Sequence, residues 1–289
     1  MTKVAVLLAT YNGVGFLDQQ INSILSQIDV SVDIFASDDI SSDGTQSVLK
    51  RYESLYENVN IVSLGKKFNG ASKNFFFLMS MVNCREYDYI SLSDQDDIWF
   101  EDKLSNAIDI MRSGRYDGYS SNVIAFWPET ERKKLIIKSL PQTKVDFWFE
   151  GPGPGCTQVL SRRSFEIFQK FVKKNYESLQ NVDYHDWLIY AYFRYQNFSW
   201  VISPIAKMYY VQHSANQLGA NKGLNALFSR YRMIRSGWIR RQVNLIYRLV
   251  SDSERDIITM GFMFKNFHIL RRKKSYSFVL FTLYLLGIL

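Results

Sequence analysis

Along the opening third of the chain, apolar side chains follow two alternating rhythms. Four short β-rich runs, "KVAVLLAT" (3–10), "VDIFAS" (32–37), "NIVSL" (60–64) and "YDYISLS" (87–93), each read as a strand. Between them apolar positions recur every three or four residues: Leu17, Ile21, Ile24, Leu25 and Ile28, then a polar-faced stretch from Gly44 to Tyr56, then the nearly continuous "SKNFFFLMSMV" (72–82). This alternation predicts an α/β fold of Rossmann-like type, a mixed, mainly parallel sheet flanked by helices. After Asp109 the alternation loosens. "DGYSSNVIAF" leads to a charged turn from Pro128 to Lys134, the Gly/Pro-rich "EGPGPGCTQVLSRR", a helix from Ser164 to about Lys174, "YHDWLIYAYF", and two strands, "SWVIS" and "KMYYVQH". Beyond Asn221 the pattern turns long, basic and helical, dividing the chain into a body, 1–221, and a helical extension, 222–289.

With 289 residues, 47 % of them hydrophobic and 16 % aromatic, the chain can bury a large core, which excludes a disordered protein. Cys84 and Cys156 form no C-x-x-C pair, so neither a disulfide framework nor a zinc site is expected, and a reduced, cytoplasmic setting fits. "MTKVAVLLAT" has too short an apolar run, and no small-residue cleavage pattern, for a signal peptide. The longest apolar segment, Ser277 to Leu289, falls well short of the ~20 residues that span a bilayer. The net charge of +7 is unevenly placed: residues 222–289 hold 13 Lys/Arg against 3 Asp/Glu, making the extension +10 and the body −3.

In open α/β sheets, ligands gather beyond the carboxyl ends of the strands. There the predicted strands run into "TYN" (10–12), "SDDISSDGT" (37–45) and "SDQDD" (93–97). Strand alternation turns Asp94 and Asp96 to one side and Gln95 and Asp97 to the other. Two carboxylates that close raise each other's pKa unless a cation lies between them, and a hard divalent ion, Mg²⁺ or Mn²⁺, commonly bridges carboxylates to phosphates. The rival reading makes these aspartates helix caps facing water. Asp38 has two uses open to it, a turn residue or an acceptor for a nucleobase N–H, whereas Asp43 with Gly44 is turn and cap chemistry. On local sequence alone Asp186 is an N-cap with His185 a surface neighbour, and His213 merely closes a strand.

The motifs "LLATYNG", "SDDISSDGT", "FNGASKNF", "LSDQDDIW", "GCT", "HDWL" and "QHSANQLGA" occur in the order found in family 2 glycosyltransferases with a GT-A fold, which the chain resembles over roughly residues 3–221. Within that family, "SDQDDIW" and "QHSANQLGA" are most similar to bacterial rhamnosyltransferases of polysaccharide assembly. The resemblance implies a metal-dependent, inverting transfer of a sugar, L-rhamnose from dTDP-L-rhamnose, to a hydroxyl of a lipid-linked or polysaccharide acceptor; a UDP-hexose donor is the alternative. It places Thr10, Tyr11 and Asn12 in the nucleotide pocket, with Tyr11 stacked on the base, Asp38 on the base N–H, and Lys73 near the base or diphosphate. It makes Asp96 a direct metal ligand, Asp94 a ribose or metal contact, and His213 a diphosphate or metal contact. Asp186 matches the catalytic base, while Gly155, Thr157 and Trp187 belong to the loop along the donor sugar or acceptor. Two departures stand out: Ile40 occupies a position where the family often has glycine, and "GPGPG" is richer than the usual Gly-x-Thr surroundings.

The extension interleaves cations with aromatic side chains in "RYRMIRSGWIRR" and "RRKK", as a helix lying on an anionic membrane does, which predicts a peripheral protein on the inner face of the plasma membrane. Packing on the body, a homodimer interface and nucleic-acid binding are the rivals, and no nucleic-acid motif is present. A sugar nucleotidyltransferase shares the crevice and the metal need. It wants a basic phosphate loop after strand one, where "TYNGVGFLDQ" has no Lys or Arg. A non-catalytic scaffold keeping the fold would bind no nucleotide.

Overall fold

The computed structural model describes residues 1–213 and 235–289. Lys3 to Thr10 lacks polar alternation, and β1 (Thr2–Thr10) is accordingly a central strand with both faces covered. Its side chains divide by parity between two cores. Ala5, Leu7 and Ala9 pack with α3 (Ala71–Met81), and Val4, Val6 and Leu8 with α1 (Val14–Leu25) and α2 (Thr45–Leu55). β1 pairs in parallel with β2 (Val30–Asp38), Thr10 beside Asp38, and with β4 (Tyr89–Ser93); β2 pairs with β3 (Val59–Ser63). Adding β6 (Gly118–Ser121), β9 (Val159–Ser161) and β10 (Trp200–Ser203) gives the order β3-β2-β1-β4-β9-β6-β10, with β9 antiparallel to both neighbours. α4 (Lys103–Gly114), α5 (Arg162–Lys174), α6 (Tyr176–Leu179) and the largely buried α7 (His185–Tyr195) complete the body.

A second sheet, ordered β5-β11-β7-β8, departs from expectation. No strand was expected at β5 (Ile98–Trp99). The charged segment 128–134, expected as a turn, is a turn at Pro128–Thr130 that joins β7 (Val123–Trp127) to β8 (Arg132–Ile136) through Glu131 at φ 52°. β11 (Met208–Val211) runs antiparallel to β5, with Met208 opposite Trp99 and Tyr209 opposite Ile98.

The expected border at 221/222, the segment "SANQLGA" and residues 230–234 lie outside the described residues. The described part of the extension is helical, as expected, and it shares the core of the body. Val243, Ile246 and Val250 of the helix Trp238–Ser251, Met263 of the helix Met260–Asn266 and Leu280 of the helix Lys274–Leu285 join the cluster of α3 and α7. Arg240, Arg241 and Arg248 stay exposed, but the apolar face of their helix is taken up by the body and is closed to a bilayer. Arg272 is tied deepest. Only 9 % exposed, it donates from Nη1 to Asp146 Oδ2 at 2.9 Å and from Nη2 to the Gly151 carbonyl at 2.7 Å. Among the described residues no helix is long and apolar enough to cross a membrane.

Candidate active site

The carboxyl ends of β1, β2 and β4 and the start of α7 enclose a cavity of about 500 Å³. Of the residues that the resemblance named, Thr10, Tyr11, Asp94, Asp96, Gly155 and Asp186 line it, whereas Asn12, Asp38, Lys73, Thr157, Trp187 and His213 do not.

Asp38 is fully buried. Its oxygens accept from Thr10 Oγ1 (2.8 Å), the Ser41 N–H (2.7 Å), Ser41 Oγ (2.6 Å) and Gln46 Nε2 (2.9 Å). A carboxylate has about four acceptor positions, so Asp38 is saturated by its own loop and braces the strand ends instead of meeting a base. Asp39, just past the end of β2, lines the cavity. It accepts from the N–H groups of Phe68 (2.5 Å), Asn69 (3.1 Å) and Gly70 (2.9 Å), which leaves room for one further donor. The doubled aspartate in "SDD" carried that alternative, because consecutive residues face opposite ways. Asp43 is the expected turn and cap residue, accepting from the N–H groups of Thr45 and Val14.

Ile40 stands at φ 51°, so the turn keeps the left-handed backbone that glycine adopts without strain. Its side chain is 45 % exposed and contributes little burial. Ile40→Gly is expected to stabilise the fold by about 0.5–1 kcal/mol, read as a raised urea midpoint at constant m; a lowered midpoint would overturn the assignment of strain.

Asn12 ties loops together, donating its N–H to Ser41 Oγ (2.7 Å) and accepting at Oδ1 from the Ser42 N–H (2.9 Å). Lys73 points elsewhere from α3, and the lysine at the cavity is Lys67. Tyr11 is half exposed at the rim. Gln95 grips its backbone twice, accepting the N–H at 2.7 Å and donating to the carbonyl at 2.8 Å.

β4 ends at Ser93, so residues 94–97 turn where alternation was expected. Asp94, Gln95 and Asp96 all line the cavity, and Asp97 lies beneath it, buried. Burial, then the charges of Asp96 and Asp186, push the Asp94 carboxyl up to about 7. Burial, then the charges of Asp96 and Asp94, hold Asp97 well above the carboxylate range, against the opposing effects of the Cys156 thiol and Lys103. His213 arrives from far along the chain, its Nε2 2.7 Å from Asp96 Oδ2 and its ring stacked on Phe16 at 4.3 Å.

Two carboxylates at the cavity, one of them in contact with the His213 imidazole, form a donor set for a hard cation. The elevation of Asp94 records uncompensated negative charge there, so these residues fit Mg²⁺ or Mn²⁺. Deeper, Asp94, Asp97 and Cys156 bring ligand atoms within 4.8 Å of one another. That set includes a thiol and faces the ammonium of Lys103, which burial pulls down to about 7, so it suits a hard cation less.

At the opposite wall, Asp186 opens α7 and accepts the Trp187 N–H at Oδ1, 2.9 Å. Burial lifts its carboxyl to about 6, although the Trp187 N–H and Lys138 oppose the shift. His185 is no surface neighbour. It is 8 % exposed, stacked on Phe75 at 4.1 Å, and burial lowers its pKa to about 3, so the ring is neutral; its Nε2 has no partner. A Cβ at Gly155 would lie 2.6 Å from that nitrogen and 3.4 Å from Asp186 Cβ, which is why the loop passes this point as glycine. Thr157 and Trp187 are buried behind the wall, donating to the carbonyls of Pro154 (2.7 Å) and Phe147 (2.9 Å). Tyr210 also lines the cavity, its phenol held protonated by burial, and nothing in the sequence distinguished it among 18 tyrosines.

Comparison with known proteins gives this geometry its context. dTDP-rhamnosyl transferase RfbG of Shigella flexneri is 38 % identical over 97 % of this chain and 100 % of its own length. The putative teichuronic acid biosynthesis glycosyltransferase TuaG of Bacillus subtilis is 28 % identical over 37 % of this chain and 41 % of its own. Among solved structures, S. aureus TarS 1–349 superposes with a TM-score of 0.58 at 16 % identity, covering 96 % of this chain and 72 % of that one. The mannosyltransferase PcManGT from Pyrobaculum calidifontis, in complex with GDP-Man and Mn²⁺, gives 0.58 at 14 % identity, covering 98 % and 74 %. These structures share the GT-A fold. The family model for glycosyl transferase family 2 matches residues 5–172, which carry β1 to β4 and the acidic segment beyond them; the chain belongs to that family.

Proposed function

We propose that the chain transfers L-rhamnose from dTDP-L-rhamnose, with inversion, to a hydroxyl of a lipid-linked or polysaccharide acceptor in bacterial surface glycan synthesis, working at the inner face of the plasma membrane. The observation that carries the chemistry is one cavity lined by Asp94 and Asp96, the latter in contact with His213, on one wall and by Asp186 on the other. The rhamnosyl donor is supported by the relative that matches the whole chain.

Tyr11 and Thr10 receive the nucleoside, and Asp39, with one acceptor position left, meets the base N–H. A divalent cation held by Asp94, Asp96 and His213 supplies positive charge to the diphosphate when bound. Asp186 acts on the acceptor. Its Oδ1 is engaged by the Trp187 N–H, so Oδ2 takes the hydroxyl proton as that oxygen attacks the anomeric carbon and the bond from that carbon to the diphosphate breaks, releasing dTDP in one displacement that inverts the centre. Elevation of its carboxyl to about 6 makes it a stronger base than an ordinary aspartate while leaving it ionised near neutrality. Glycine at 151 and 155 keeps the acceptor side of this carboxyl free of side chains.

The test is thermal unfolding with a panel of nucleoside diphosphates and nucleotide sugars, with and without Mn²⁺. dTDP at a hundredfold of its Kd is expected to add about 2.7 kcal/mol, with a metal-dependent part that Asp96→Ala removes. No response to any nucleotide would leave a scaffold that only retains the fold.

A further inference from the structure

The surface that meets lipid lies elsewhere than the arginine-rich helix suggested. We infer that the helices Met260–Asn266 and Lys274–Leu285 form a docking face for an anionic bilayer. The helix Lys274–Leu285 is apolar nearly all round: Ser277 and Leu280 face the body, and the opposite side carries Phe278, Val279 and Leu285 toward solvent. Met260, Phe264, Phe278, Val279, Leu285 and Leu286 are each 49–68 % exposed. The two helices form one apolar surface, because Phe264 meets Phe281 at 5.2 Å and Phe267 meets Phe278 at 5.7 Å.

Charge selects the occupant. No Asp or Glu follows Asp256, while Lys265, Lys273 and Lys274 are exposed beside the apolar face. A bilayer of anionic headgroups over acyl chains complements both features. A second copy does not, since a two-fold contact sets these lysines against their own counterparts with no carboxylate of the segment between them. At ~1.5 Å per residue the helix is too short to span lipid, so it lies in the interface plane. It begins close after Arg272, whose guanidinium holds the Gly151 carbonyl, and Gly151 borders Asp186. The docked face is thus fixed relative to the catalytic wall, as delivery of a lipid-borne acceptor requires. That last link rests on the proposed transfer, whereas the docking does not.

The full chain is to be sedimented with vesicles of phosphatidylglycerol and phosphatidylcholine and with vesicles of phosphatidylcholine alone. Binding to the anionic vesicles, weakened by salt, is expected. The triple variant F278S/L285S/L286S should abolish it while nucleotide-induced stabilisation remains, since none of these residues touches the cavity. Should that variant misfold, K273Q/K274Q retains the apolar face and is expected to lower partitioning about thirtyfold, from ~1 kcal/mol per cation near the surface. Failure of the wild type to bind anionic vesicles overturns the inference. So does undiminished binding in folded variants, or a dimer in sedimentation equilibrium that F278S/L285S/L286S dissociates.

Discussion

Asp186→Asn is expected to leave donor binding intact and to cut sugar transfer by about 10³-fold. Asparagine preserves the shape and the acceptor for the Trp187 N–H but has no lone pair basic enough to take the acceptor proton. The pH profile gives a second readout. With its carboxyl lifted to about 6, Asp186 is increasingly protonated below that pH, so wild-type turnover should rise as pH increases through about 6. Stability moves the opposite way. A carboxyl whose folded pKa lies above its ordinary 3.8 destabilises the fold above about 6, and acidification from there toward 3.8 relieves the penalty. Asp94, raised to about 7 by burial and by Asp96 and Asp186, contributes in the same sense, so Asp186→Asn removes the penalty of Asp186 and also eases that of Asp94. Undiminished transfer in the variant removes Asp186 as the base. A limb near pH 6 that survives in residual activity assigns that titration to another group.

Arg272→Met should lower global stability by about 3 kcal/mol and keep a single unfolding transition. Among the described residues Arg272 is the closest cation to Asp146, which is wholly buried and has Arg194, at 3.5 Å, as its other ion-pair partner. Removing the guanidinium strands much of that negative charge and also orphans the Gly151 carbonyl. Urea unfolding followed by tryptophan fluorescence and by far-UV circular dichroism gives the measurement. Two transitions, or a midpoint that does not move, would make the extension an independent unit after all.

The body was legible as far as periodicity ran. β1 to β4 and their helices declare themselves because each buries a regular face, and the parity of β1 even divides its side chains between two cores. The second sheet was legible only at β11, which lies within "KMYYVQH": β5 has two residues, and β8, "RKKLI", is an exposed, charged edge strand. In the site, the misplacements cluster where a strand stops. Asp39 and not Asp38 lines the cavity, because Asp38 is the last, buried residue of β2, and Asp97 drops beneath Asp94, because alternation was extended past the last residue of β4. Asp186 and His213 were named as candidates only through motif order, since their local sequences fit capping and strand-end roles. His185, Lys67 and Tyr210 needed tertiary structure, being brought to the cavity by elements distant in sequence.

The short ladder between β5 and β11 acts as a positioning gauge for the metal wall. β5 starts directly after the acidic segment, and His213 lies two residues beyond β11, so the pairs Met208–Trp99 and Tyr209–Ile98 fix where the chain that carries the histidine leaves the sheet. A slip of one residue would displace that point by ~3.4 Å and move His213 away from Asp96. The spacing that matters to this histidine is therefore counted across strands, and substitutions at Trp99 or Met208 that disturb the pairing would reach the proposed cation site without touching any of the residues proposed to hold the ion.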